Sequence, residues 1–239
     1  KGNVIVYNNG MTKDKEKGDY GPYTQSKRAD IYRICAKHLI EVDGERIVDR
    51  TIRLLKENKV KDISISSNNP LFDTCGVPRL EHPDDYELGL NYDKGFWLNA
   101  FHKVDEPVTY IFGDVYFSED AIKTIVNYKT KKNVLFGTSD ALNKYHQNWG
   151  EPFAYIVNDT KTFFNAIEDI RVLHKQGKIN RMPVVWELYR YLHGLDINIQ
   201  TITDDYVCID DGTIDIDSPE DIKRVGKWKK SHYTEQEKE

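Results

Sequence analysis

One run constrains the fold more than any other. Val108-Thr109-Tyr110-Ile111-Phe112 is apolar along its length and ends in Gly113-Asp114. Five such residues without polar alternation suit a central parallel strand covered on both faces. Parallel neighbours need crossover connections, and the N-terminal third of the chain reads as one. Asn3-Val4-Ile5-Val6-Tyr7 is a short β-branched strand running into the turn residues Asn8-Asn9-Gly10. Over roughly 45–58, Ile47, Val48, Ile52 and Leu55 share one helical face, and Ile63–Ser66 then reads as a second strand. A strand–helix–strand unit of this kind implies a parallel sheet.

The same grammar continues to the C-terminus. A short helix is expected over about 95–103 and another over Ala121–Tyr128, capped by Ser118 with Glu119 and Asp120 in its first turn. Asn133–Gly137 and Phe153–Val157 read as strands. Helices follow over Phe163–Lys175 and over Met182–Leu192, the latter with Pro183 at its start. Ile197–Ile202 and Tyr206–Ile209 alternate as strands do, and Ser218-Pro219-Glu220-Asp221 opens a last helix expected to run to about Lys227. The tail from Lys229 (229–239) is polar and expected to fray. Two segments stand outside this pattern: a polar, lysine-rich loop within 8–36, and a turn-rich acidic stretch over 67–93. Alternating strands and helices over 239 residues predict one α/β domain, residues 1–239, built as a three-layer sandwich on a mostly parallel sheet.

Charge excludes some partners. The formal net charge of −5 gives no overall basic field for nucleic acid or an anionic membrane. The three cysteines, Cys35, Cys75 and Cys208, are far apart, so neither a disulfide frame nor a zinc ribbon is expected. No signal-peptide pattern and no apolar run long enough to span a bilayer is present, so a cytoplasmic location is expected. No G-x-S-x-G, P-loop or HExxH motif occurs, which speaks against a serine hydrolase, a P-loop ATPase and a zinc site.

In open parallel sheets ligands bind beyond the carboxyl ends of the strands. That draws attention to Asp114, where a carboxylate could meet a hard cation and Gly113 allows close approach. The alternative for Asp114, a turn aspartate capping the next element, stands evenly beside it. In Asp215-Ile216-Asp217-Ser218-Pro219-Glu220-Asp221, alternation puts Asp215 and Asp217 on one face, where their charges call for a cation or a base between them. Helix capping accounts for Glu220 and Asp221 and less well for the first two. Lys37 is a point charge able to reach a phosphate, although an ordinary surface lysine is the better reading of that residue by itself.

Together these segments resemble a family. Lys37-His38-Leu39-Ile40-Glu41-Val42-Asp43-Gly44-Glu45-Arg46-Ile47-Val48-Asp49-Arg50-Thr51-Ile52-Arg53-Leu54-Leu55 is similar to the PKxLxxVxGxPLIxRTIxxL segment of sugar-phosphate nucleotidyltransferases, including their molybdenum-cofactor guanylyltransferase-like and cytidylyltransferase-like branches. Tyr110–Asp114 resembles the family strand ending in a metal-binding aspartate, and Asp215–Asp221 resembles its D-I-D-T-P-E-D segment. The resemblance implies a nucleotide-diphospho-sugar transferase-like (GT-A-like) fold. It implies transfer of a nucleoside monophosphate from an NTP, with CTP favoured, to a sugar phosphate or related phosphorylated small molecule. It further implies Mg²⁺ on Asp114, Asp215 and Asp217, catalytic roles for Asp114 and Lys37, and a homodimer.

The family's glycine-rich loop is reduced here to Asn8, Asn9 and Gly10, and alanine stands at position 36 where the family has proline. The missing phosphate contacts would come from Lys27 or Arg28, with Lys13 equally placed. Gly95 lies in the segment near the base and sugar, and Trp149-Gly150-Glu151-Pro152-Phe153 lies where acceptor-binding elements occur. Two other readings remain open: a glycosyltransferase of the related fold, whose Asp-x-Asp is here Asp114-Val115-Tyr116, and a nucleotide-binding protein without turnover.

Overall fold

In the computed structural model the residues described are 2–7, 37–82, 96–142 and 150–236. The strands are β1 (Asn3–Tyr7), β2 (Glu41–Val42), β3 (Glu45–Arg46), β4 (Ile63–Ser66), β5 (Arg79–Leu80), β6 (Val108–Phe112), β7 (Val115–Tyr116), β8 (Val134–Gly137), β9 (Pro152–Val157), β10 (Tyr206–Cys208) and β11 (Ile214–Asp215). The helices are α1 (Ile47–Glu57), α2 (Glu119–Asn127), α3 (Thr160–Lys175), α4 (Val185–Leu192) and α5 (Pro219–Gln236).

Seven strands form one sheet in the order β10-β8-β9-β6-β1-β4-β5. β1 pairs in parallel with both β4 and β6, β4 with β5, and β8 with β10. β9 is antiparallel to its neighbours β6 and β8. The sheet is therefore mostly parallel, as expected. Its inner strands are buried on both faces: every residue of β8 is buried, as are four of the five in β6. Only helices packed on both faces provide that cover.

Aromatic residues fill the space between α3 and the sheet. Phe163 packs edge-on against Phe101 and Tyr155, each with ring centroids 5.2 Å away, and Phe101 meets Tyr110 at 4.9 Å. The Tyr110 hydroxyl, buried in this cluster, donates to the His102 carbonyl at 2.6 Å. Several of the many tyrosines are thus core residues with one polar tip to place.

Three boundaries differ from the sequence reading. α3 begins at Thr160 rather than Phe163, because the Asp159 carboxylate caps it by accepting from the Thr162 N–H at 3.0 Å. α4 begins at Val185, leaving Pro183 outside, and the Glu187 side chain takes the Val184 N–H at 2.9 Å. α5 does not stop near Lys227 but continues to Gln236, since no Gly or Pro follows Gly226 to break it.

The largest difference is Ile197–Ile202, which is no strand. Asp196 turns the chain locally by accepting the Asn198 N–H at 2.9 Å. The fully buried Arg190 guanidinium then claims the Ile197 carbonyl at 2.7 Å and the Gln200 side-chain oxygen at 2.9 Å. With its carbonyl spent on an arginine, this segment cannot join a ladder, and the edge beside β8 is taken by β10.

Candidate active site

The parallel strands all present their carboxyl ends on one edge of the sheet. Because β9 runs the other way, its beginning lies on that edge too. Ser66-Ser67, Leu80, Gly113-Asp114, Thr138, Glu151 and Ile209-Asp210 are therefore neighbours along one rim.

Asp114 stands where the sequence places it, in the turn between β6 and β7, and is 8% exposed. β7 pairs antiparallel with β11, Val115 opposite Asp215. That pairing carries the Asp215–Asp217 segment to Asp114 across a long stretch of sequence. Ile214 and Ile216 are buried against Tyr116, while Asp215 and Asp217 are half-buried on the alternate side, so the expected alternation is present.

Three successive amides of this segment are each held by a different partner. The Asp215 N–H donates to the Glu151 carboxylate at 3.0 Å, the Ile216 N–H to the Asp114 carbonyl at 3.0 Å, and the Asp217 N–H to the Asp221 carboxylate at 3.0 Å. Asp221 also accepts from the Ser218 hydroxyl at 2.8 Å, so the acid near the start of α5 reaches back to order the residues before it.

Glu151 was legible only as part of a stretch set aside for the acceptor. Its own backbone is fixed to Thr138: its N–H donates to the Thr138 hydroxyl at 2.9 Å, and its carbonyl accepts the Thr138 N–H at 2.9 Å. Gly150 just before it has φ +74°, and a Cβ there would lie 2.6 Å from the Ala141 nitrogen. Glycine is required on both counts. Burial pushes the Glu151 carboxyl above the ordinary carboxylate range, and the nearby charges of Asp221 and Asp217 act in the same direction. The Asp215 N–H and Arg224 oppose them.

Beside this cluster opens a cavity of about 410 Å³, walled among others by Thr138, Asp140, Glu151, Asp210, Asp211 and Arg224. Two of its acids also serve the fold. Asp210 accepts the Ser139 N–H at 2.9 Å, and Asp211 accepts the Ser118 hydroxyl at 2.6 Å and the Thr213 N–H at 2.7 Å. Ser118 is the cap expected for α2, its hydroxyl accepting the Ala121 N–H at 2.9 Å. The β8–β10 end of the sheet and the start of α2 are thus tied together around the cavity mouth.

The β7–β11 pairing brings the backbone of Asp114 beside residues 215–217, and carboxylate oxygens are donors that suit a hard cation. Among the described residues no group of three or more His, Cys, Asp or Glu side chains is arranged to hold a metal ion. A Mg²⁺ ion held by one or two carboxylates, with phosphate oxygens and water completing its shell, needs no larger group. Lys37 opens a short 3-10 turn, Lys37–Leu39, just before β2, and its side chain lies outside the described residues. Asn8, Asn9, Gly10, Lys27, Arg28 and Gly95 also lie outside them. Among the described residues no helix is long and apolar enough to cross a membrane.

No family model matches the chain. A glutamate–tRNA ligase of Acetivibrio thermocellus is 23% identical over 209 residues, covering 87% of this chain and 35% of that protein. The chain therefore spans about a third of the length of the curated relative it matches. Among solved structures, a protein described as a glucose-1-phosphate thymidylyltransferase of Bacillus anthracis, in complex with sucrose, aligns with TM-score 0.53 and 14% identity, over 94% of this chain and 93% of that one. A CTP:phosphocholine cytidylyltransferase of Streptococcus pneumoniae aligns with TM-score 0.47 and 16% identity, over 94% and 97%. The fold is that of the Bacillus protein, as the sequence resemblance implied.

Proposed function

We propose that this chain is a nucleotidyltransferase that joins a nucleoside monophosphate to a phosphorylated small molecule and releases pyrophosphate. The observation that supports the proposal is the backbone pairing of the Asp114 turn with the segment carrying Asp215 and Asp217 at the carboxyl edge of the sheet, each of the three residues held by a backbone hydrogen bond. An acceptor phosphate oxygen attacks the α-phosphorus of the NTP as the bond from that phosphorus to the β-phosphate bridging oxygen breaks, and pyrophosphate leaves. The acceptor phosphate is already ionised, so little proton transfer is asked of the protein. Catalysis is then positioning and charge stabilisation.

Asp114 and Asp217, with Asp215, are the residues suited to hold Mg²⁺. When bound, that ion supplies neutralisation of the charge on the phosphoryl oxygens. Lys37 adds a positive charge for the same phosphates. Asn8, Asn9, Gly10, Lys27, Arg28 and Gly95 are assigned to the nucleotide, and the cavity between Thr138 and Arg224 to the acceptor. CTP is the favoured donor on the resemblance to cytidylyltransferases, the acceptor class is a sugar phosphate or a related phosphate, and the assembly is a homodimer.

The test is pyrophosphate release with Mg²⁺, each of the four NTPs and a panel of phosphorylated metabolites. Release with one NTP and one acceptor supports the proposal and names both substrates. Release of a nucleoside diphosphate from a nucleotide sugar would replace it with a glycosyltransferase. Nucleotide binding without turnover in either assay would replace it with a binding protein.

A further inference from the structure

The three-amide clamp on residues 215–217 has two members that follow from the fold around it. The Asp114 carbonyl comes with the β7–β11 pairing, and Asp221 comes with the start of α5. The third, Glu151, comes from a distant part of the sequence and is the more expensive to place. It reaches from a half-buried position to the Asp215 N–H. Its position is also fixed from behind. The Thr138 hydrogen bonds and the glycine-only backbone at Gly150 fix the Glu151 backbone from which the side chain reaches the Asp215 N–H.

We infer that Glu151 is a positioning residue. Its carboxylate holds the Asp215 backbone and so fixes the segment that carries Asp215 and Asp217 next to the Asp114 turn. The inference rests on the nucleotidyltransferase reading for the identity of what those aspartates bind, and on the structure for the clamp. Glu151 also forms part of the cavity wall. It therefore joins the place assigned to the acceptor with the aspartates assigned to the metal, and neither Asp114 nor Asp221 lines that cavity as well.

The experiment compares wild type, Glu151→Ala and Glu151→Gln, each as the full chain. Alanine removes the acceptor of the Asp215 N–H, whereas glutamine keeps a carbonyl oxygen in nearly the same place and loses the charge. Two quantities are read: amide hydrogen exchange at residues 215–217, and Mn²⁺ affinity by electron paramagnetic resonance in the presence of CTP. With alanine, exchange at Asp215 is expected to rise about tenfold, the loss of one charge-assisted hydrogen bond. Mn²⁺ affinity is expected to fall about 10- to 100-fold, as it does when an outer partner of a metal ligand is removed. Glutamine is expected to restore both to within about threefold of wild type, which a generally loosened fold would not do.

The inference is overturned if alanine frees the Asp215 amide and leaves Mn²⁺ affinity unchanged, or leaves the amide protected. Wild type that binds neither Mn²⁺ nor any of the four NTPs would overturn the nucleotidyltransferase reading itself. That failure shows in wild type before any variant is compared.

Discussion

Around Glu187 and around Asp217 this protein treats charge in opposite ways. Glu187 on α4 is 2% exposed and lies between two cations, Arg181 at 2.7 Å and Arg190 at 2.9 Å. Arg190 is fully buried, and burial lowers its pKa from the usual guanidinium value. Its remaining N–H groups are directed at the Ile197 carbonyl and Gln200. At the rim of the sheet, Glu151, Asp215, Asp217 and Asp221 gather with Arg224 as their cationic neighbour, and Arg224 is itself mostly exposed. The first group is sealed in the interior, and it braces an irregular segment. The second lies at the rim of the sheet, where Glu151 and Arg224 also line a cavity.

Breaking the sealed group should cost the most stability. Arg190→Ala leaves Glu187 buried beside Arg181 alone and frees the Ile197 carbonyl, so a loss of about 3–5 kcal/mol is expected in urea unfolding. A loss below about 1 kcal/mol would show that the pair is not the brace it is taken for. The opposite behaviour is expected at the rim. Asp114→Asn should lower the pyrophosphate-release rate at least about 100-fold while moving the thermal midpoint little. A mutant with wild-type turnover would remove Asp114 from the metal assignment.

Gly150→Ala sits between these extremes. It strains a left-handed backbone and drives a Cβ against Ala141, and about 1–3 kcal/mol of stability should be lost in thermal unfolding. Because Glu151 follows directly, exchange at the Asp215 amide should rise in the same variant. A fall in stability with that amide still protected would separate the turn from the clamp.

The smallest effect belongs to Asp159, a carboxylate balanced by a helix start instead of by an arginine. Asp159→Ala should cost about 1 kcal/mol near neutral pH. The Thr162 hydrogen bonds hold this carboxyl below its usual range. Its contribution is therefore complete above the unfolded-state value and fades as pH falls through the lower folded value. Chemical unfolding of wild type and variant should converge in acid, and a difference that persisted there would place the effect in packing.

Much of the sheet could be read from local pattern, because β1, β4, β6 and α2 carry their signals within a few residues: β-branched runs, and a serine followed by two acids. Asp114 and the Asp215–Asp217 pair were likewise visible as carboxylates beside apolar runs. The failures share a cause. Ile197–Ile202 alternates like a strand, and only the arginine in α4 shows why it cannot pair. Glu151 stands 64 positions from the amide it holds, and nothing in its own neighbourhood announces the link. Where a side chain from elsewhere takes a backbone group, local periodicity gives no warning.

The β7–β11 ribbon has a consequence for the order in which the molecule assembles. Two residue pairs close a loop of roughly a hundred residues, and such a closure gains little until β8, β9 and β10 have already brought its ends together. The rim aspartates should meet among the last events of folding. A refolding chain would then recover its sheet, seen in the far-ultraviolet signal, before amide exchange at residues 215–217 became protected. A chain stalled on the way would be compact, with its rim still unassembled.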